Sequence, residues 1–142
     1  MIARNELAYG NLVIGGYNIL MHVTGIFDDE VYLDFDGNEG DVWEEKYKDI
    51  KPIEITEELL LKIGFKKEYD NICKKYNYGL FVNGCPVTIG NYSNMADRDW
   101  SIHIDNKDYE TIFSGDIQYI HQLQNAIYFA TNAELEIKII SL

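Results

Sequence analysis

Leu80-Phe81-Val82-Asn83-Gly84-Cys85-Pro86-Val87-Thr88-Ile89 holds two short apolar runs around an Asn-Gly pair. Both turn residues tolerate positive φ, so the stretch predicts a hairpin of two antiparallel strands. The same grammar recurs on either side. Downstream, Trp100-Ser101-Ile102-His103-Ile104 alternates apolar with polar, and Asp105-Asn106-Lys107-Asp108 turns the chain; the polar residues 91–99 read as a loop. Upstream, residues 7–47 read as strands. Leu12-Val13-Ile14 ends at Gly15-Gly16, residues 19–26 follow, and Asp28-Asp29 turns into Val31-Tyr32-Leu33-Asp34-Phe35. Asp36-Gly37 is another turn, and residues 41–47 a further strand. Strands this short, joined by turns this tight, predict a small twisted sheet or partial barrel in the N-terminal half.

Two segments break the pattern with a period of 3.6. Pro52 keeps the residue before it extended, Thr56 is a good N-cap, and Glu57 and Glu58 put negative charge in the first turn. Gly64 can take a positive φ, and Phe65 can pack back on Leu60, so a short helix is expected at about 57–63. A longer helix is expected at about 116–130, where Ile117, Ile120, Leu123, Ile127 and Ala130 share one face. Gln124 falls inside that apolar arc and would need buried hydrogen-bond partners. Asn132 can serve as the residue after the helix. Residues 134–140 then alternate and read as a C-terminal strand. The fold class is therefore α+β, with the 142 residues forming a single domain.

Composition narrows the function. The chain is 46% hydrophobic and 13% aromatic, which excludes a natively unfolded acidic tail. Twenty-four acids against 12 Lys and Arg give a net charge of −12. Residues 28–49 carry most of this excess, with ten acids (Asp28, Asp29, Glu30, Asp34, Asp36, Glu39, Asp41, Glu44, Glu45 and Asp49) against Lys46 and Lys48. Like charges this close repel, so stability alone would intersperse them with bases. A body of this charge is repelled by nucleic-acid backbones and anionic membranes. The nearest basic patch, Lys62, Lys66, Lys67, Lys74 and Lys75 with Tyr69, Tyr76 and Tyr78, reads as a solvated face. The opening residues have no signal-peptide pattern, and no apolar run approaches the roughly 20 residues of a membrane span. Cys73 and Cys85 have no C-x-x-C spacing and are expected as free thiols, in keeping with a cytoplasmic location.

Motifs for chemistry are sparse. Asp34, Asp36, Asn38 and Glu45 fall at positions 1, 3, 5 and 12 of a calcium loop, but position 6, which needs Gly, is Glu39, and the flanks are strands. No metal site is expected there. His22, His103 and His121 are scattered and form no zinc pattern. No nucleophile elbow or phosphate loop occurs. Gln118, His121, Gln122 and Asn125 recur at i, i+3, i+4 and i+7, and such amides with an imidazole could line a ligand site for a base or sugar.

Two stretches carry a resemblance. Residues 50–65, Ile-Lys-Pro-Ile-Glu-Ile-Thr-Glu-Glu-Leu-Leu-Leu-Lys-Ile-Gly-Phe, resemble an "IxPIxLTEExLxKxGF" element. Residues 117–136 resemble "YVHxLQNLYFALTGxEL", and Glu6-Leu7 to Asn11-Leu12-Val13 resembles the opening "ELRxGNxV" of the same group. These elements are similar to those of small uncharacterised proteins of phages and mobile elements in anaerobic gut bacteria. The chain departs in having Ala126-Ile127 where a Leu is usual and Asn132 in place of Gly. The resemblance implies a genomic setting but supplies no activity and no catalytic residues; no cofactor is expected. His121, Gln122 and Asn125 are the motif positions that packing explains least.

The expectation is a non-enzymatic, cytoplasmic accessory protein, an acidic anti-defence inhibitor occupying a basic surface of a host nucleic-acid-handling protein. Asp28, Asp29, Glu30, Asp34, Asp36, Glu39, Asp41, Glu44 and Glu45 would make that contact. One alternative is a nucleotide-signal sponge that binds a small molecule between subunits, with Lys66, Lys67, Gln122 and Asn125 as contributors; another is a virion or assembly component.

Overall fold

A computed structural model describes residues 1–36, 42–91 and 100–142. The architecture is α+β: two open antiparallel sheets, of four and five strands, with two α-helices among the described residues. The chain divides into two compact units, one of residues 1–54, 119–125 and 136–142, the other of residues 55–118 and 126–135.

The first unit is built on β1 (Leu12–Ile14), β2 (Leu20–Ile26), β3 (Glu30–Asp34) and β4 (Trp43–Lys46), in the order β1-β2-β3-β4. Alternation sends Val13, Met21, Val23, Val31 and Leu33 to one side, where Ile2, Leu7 and Ile50 complete a closed apolar cluster. Each such side chain contributes about 1.5–3 kcal/mol on burial. The β1–β2 connection closes with Gly15 N–H donating to Ile19 C=O at 2.8 Å. A Cβ on Gly15 would lie 2.7 Å from the Met21 methyl and 2.9 Å from a Leu33 methyl, so a larger residue there would have to displace the ends of these two core side chains. Asp28-Asp29 forms the β2–β3 turn, with Phe27 N–H donating to Glu30 C=O at 3.0 Å. Since β1 and β4 do not pair, the N-terminal half forms an open sheet, not a partial barrel. The Asp36-Gly37 turn is only partly described, and the loop expected at 91–99 lies outside the described residues beyond Asn91.

The second unit holds α1 (Glu57–Ile63) and a five-stranded meander, β5 (Lys66–Asp70), β6 (Lys75–Val82), β7 (Cys85–Gly90), β8 (Trp100–Asp105) and β9 (Thr111–Ile117). Helix α1 has the expected ends. Thr56 Oγ1 accepts the Leu59 N–H, Gly64 takes φ +121°, and the Gly64 and Phe65 N–H groups return to the carbonyls of Leu61 and Leu60. That is a Schellman termination. Asn83 (φ 51°) and Gly84 (φ 77°) make the β6–β7 turn, with Leu80 facing Val87 and Val82 facing Cys85. Tyr78, Ile89 and Ile102 are neighbours across the ladder and buried on one face, and Trp100 Nε1 donates to Ile55 C=O at 3.1 Å.

Two expected boundaries are corrected. Helix α2 runs Ile120–Thr131 and does not begin near 116, because Asp116 and Ile117 pair with Ser101 and Trp100 in the sheet. The C-terminal strand at 134–140 does not form. Leu135 and Ile137 are buried while Glu134, Glu136 and Lys138 are exposed, as alternation required, yet the segment joins neither sheet and ends in a 3-10 turn, Ile139–Ser141.

Candidate functional site

The acidic residues fall in three places. Asp28 and Asp29 are exposed at the β2–β3 turn, where Arg4 Nη1 lies 2.7 Å from Asp28 Oδ1. Glu30, Glu44 and Glu45 share the β3–β4 ladder: Glu30 faces Lys46, Tyr32 faces Glu44 and Val31 faces Glu45. Glu45 Oε1 accepts the Gly16 N–H at 2.9 Å, which fixes that side chain beside the β1–β2 turn. The Glu44 carboxylate, with partial burial and Glu30 adding to its effect, raises the Tyr32 phenol above its ordinary value, because a phenolate there would meet negative charge.

Asp34 and Asp36 behave differently. Asp34 is 3% exposed, and its Oδ1 accepts the Phe35 N–H at 2.7 Å, so it is withdrawn from the partner-facing set in which the sequence placed it. Asp36 is half-buried; Oδ1 lies 2.7 Å from His22 Nε2 and Oδ2 accepts the Ile140 N–H at 3.1 Å. Burial opposes its ionisation, but the Ile139 and Ile140 N–H groups and His22 outweigh that and hold the carboxyl below its usual range. Asp36 thus ties the C-terminal segment to the first sheet. Glu39 and Asp41 lie outside the described residues.

Beside these acids stand aromatic residues that charge counting overlooked. Phe35 and Trp43 are 42% and 36% exposed, with ring centroids 6.4 Å apart and edge-on at 85°. Val42 is exposed next to them, and Tyr17, at φ 60°, is exposed beside Gly16. The signal was legible as Val42-Trp43, an apolar pair set inside an acidic run.

The candidate ligand residues at the start of α2 are engaged by the chain itself. Asn125 Oδ1 accepts from Asn11 Nδ2 at 2.8 Å, and Asn125 Nδ2 donates to Glu6 C=O at 2.9 Å. Gln122 Oε1 accepts the Tyr119 N–H at 3.0 Å, capping the helix start. Gln118 precedes the helix in the second unit, where its carbonyl accepts the Ile55 N–H at 3.0 Å. His121 is 1% exposed, stacks on Tyr119 at 5.8 Å, and has no hydrogen-bond partner at either ring nitrogen; Glu6 Oε2 is 3.9 Å from Nε2. Burial pushes the imidazole below its ordinary pKa, with Glu6 pulling weakly the other way. The buried Gln124, flagged by its place in the apolar arc, bonds to the backbone of residues 10 and 12.

Within the expected basic patch, Lys67 Nζ sits 2.5 Å from Glu57 and 4.4 Å above the Tyr76 ring, and Lys62 pairs with Glu58 at 3.0 Å. Among the described residues no group of three or more His, Cys, Asp and Glu is placed to hold a metal, and no helix is long and apolar enough to cross a membrane. Cys73 is exposed and Cys85 buried, both free thiols. Comparison of the chain with protein-family models, curated proteins and solved structures finds no match.

Proposed function

We propose that the chain is a non-enzymatic binding protein whose acidic first sheet occupies a basic surface of a partner, as an accessory protein of a phage or mobile element directed at a host nucleic-acid-handling protein. The observation that carries the binding reading is the fixed display of Asp28, Asp29, Glu30, Glu44 and Glu45 on one turn and one ladder, with Lys46 and Lys48 the nearby bases in sequence and Arg4 paired with Asp28. Charges held by a folded sheet are not averaged away as they are in a flexible tail. They accelerate encounter with a cationic surface and weaken as salt rises. The genomic setting rests on the resemblance of residues 50–65 and 117–136.

Pull-down from a lysate of a gut anaerobe tests the reading. Capture at low salt that fades at high salt, and that is lost in the Asp28→Asn/Asp29→Asn/Glu44→Gln variant, is the expected result. A partner held equally well at high salt and by the variant overturns it.

A further inference from the structure

We infer that β4 is the docking edge for an extended segment of the partner bearing Lys or Arg at alternate positions, which joins the first sheet as an added strand. This rests on the binding reading above. The two edges of that sheet differ. Along β1 the outward groups are taken: Leu12 N–H donates to Gln124 Oε1 at 2.8 Å, Ile14 N–H to Lys51 C=O at 2.9 Å, and Lys51 N–H to Ile14 C=O at 2.8 Å. Among the described residues β4 has β3 as its one strand neighbour, leaving a row of backbone donors and acceptors for a further strand.

The side chains along this edge select the occupant. Successive residues point to opposite faces. Trp43 and Glu45 share the face of Leu33 and Val31, with the exposed Phe35 ring against Trp43, while Glu44 lies on the other face with Tyr32 and Glu30. Glu45 is held by the Gly16 N–H, so an incoming strand meets the exposed Glu44 carboxylate on one face and an aromatic surface on the other. A guanidinium or ammonium gains from both. A second copy of β4 would set Glu44 and Glu45 against their own like, and a nucleic-acid backbone would be repelled outright. A cationic strand is the occupant the charges accept.

The test titrates the 15N-labelled full chain with an eight-residue peptide of alternating Arg and Thr. A copy of the peptide N-methylated at alternate amides serves as the control, since it keeps the charge but cannot complete a ladder. The expected result is amide shifts centred on residues 42–46, with affinity about tenfold lower for the methylated peptide and several-fold lower for Trp43→Ala. Salt-sensitive shifts confined to residues 28–30, with equal affinity for both peptides, overturn the β4 edge and leave the acidic-surface reading standing. Absence of salt-sensitive binding to either peptide and to polylysine overturns both.

Discussion

Gln124 lies against β1 as a neighbouring strand would: its Oε1 accepts the Leu12 N–H at 2.8 Å and its Nε2 donates to Gly10 C=O at 3.1 Å. One side-chain amide thus satisfies two backbone groups along an edge. Asn125, next in the helix, accepts from the Asn11 side chain and donates to Glu6 C=O. In the folded first unit the opening segment Glu6–Leu12 and the start of α2 are two halves of one clamp. This supplies a structural reason for Asn125 where packing supplied none.

Gln124→Leu keeps much of the volume and removes both bonds. The Leu12 N–H and Gly10 C=O are then left near apolar atoms, at about 1–3 kcal/mol for each unsatisfied group. Urea unfolding of the variant should show a loss of about 2–6 kcal/mol with an unchanged slope. A midpoint equal to wild type would mean that water replaces the amide at no cost, and the clamp would then not be a source of stability.

His121 sets a pH window. Its folded pKa is lowered by burial, so the unfolded chain takes up the proton first as pH falls through the ordinary histidine value of about 6.5. The stability it permits is complete above that value, declines as pH drops toward the folded pKa, and then levels. Asp36 is held below its ordinary value, so its stabilisation is present above about pH 4 and is lost only as pH falls further, a separate window. Thermal unfolding followed from pH 7.5 to 5 should show a decline in wild type that His121→Phe flattens. Parallel curves for the two proteins would remove His121 as the cause.

What the sequence made legible was local. Thr56, Gly64 and Phe65 specify α1 because caps act within one turn, and Asn83-Gly84 specifies its hairpin because positive φ is a property of those two residues. The start of α2 was misplaced because Ile117 fits the helical period as well as it fits the ladder opposite Trp100, and periodicity alone cannot choose. At 134–140 alternation reported burial on one side, not strand pairing. Asn125 stands in the amide cluster the sequence shows, yet its partners lie 114 and 119 residues away, and those of Gln124 lie 112 and 114 away, beyond any local signal. Asp34 looked like its acidic neighbours; only its place on β3 buries it.

The ends of α1 offer a matched pair of substitutions. Thr56→Ala removes the acceptor for the Leu59 N–H and should cost about 1 kcal/mol. Gly64→Ala meets no steric obstacle within 4 Å, so its cost is conformational, about 1–2 kcal/mol for a side chain at a left-handed φ. Because the two sites sit at opposite ends and share no partner, the double variant should show the sum of the two losses in urea unfolding. A marked departure from the sum would mean that the last turn frays whenever the first is weakened.

Glu44→Gln asks whether the acidic ladder serves folding. Glu44 is the largest cause of the raised Tyr32 pKa, ahead of burial and Glu30, so neutralising it should let the phenol titrate at lower pH, readable from the Tyr32 ring resonances. The substitution also relieves repulsion with Glu30 and leaves the backbone pairing of Tyr32 with Glu44 intact. Its urea midpoint should therefore equal or exceed that of the wild type. The combination expected is a lower Tyr32 pKa, undiminished stability and weaker capture of the cationic partner. A clear loss of stability would instead make Glu44 a structural residue of the β3–β4 ladder, and the charge would need no partner to account for it.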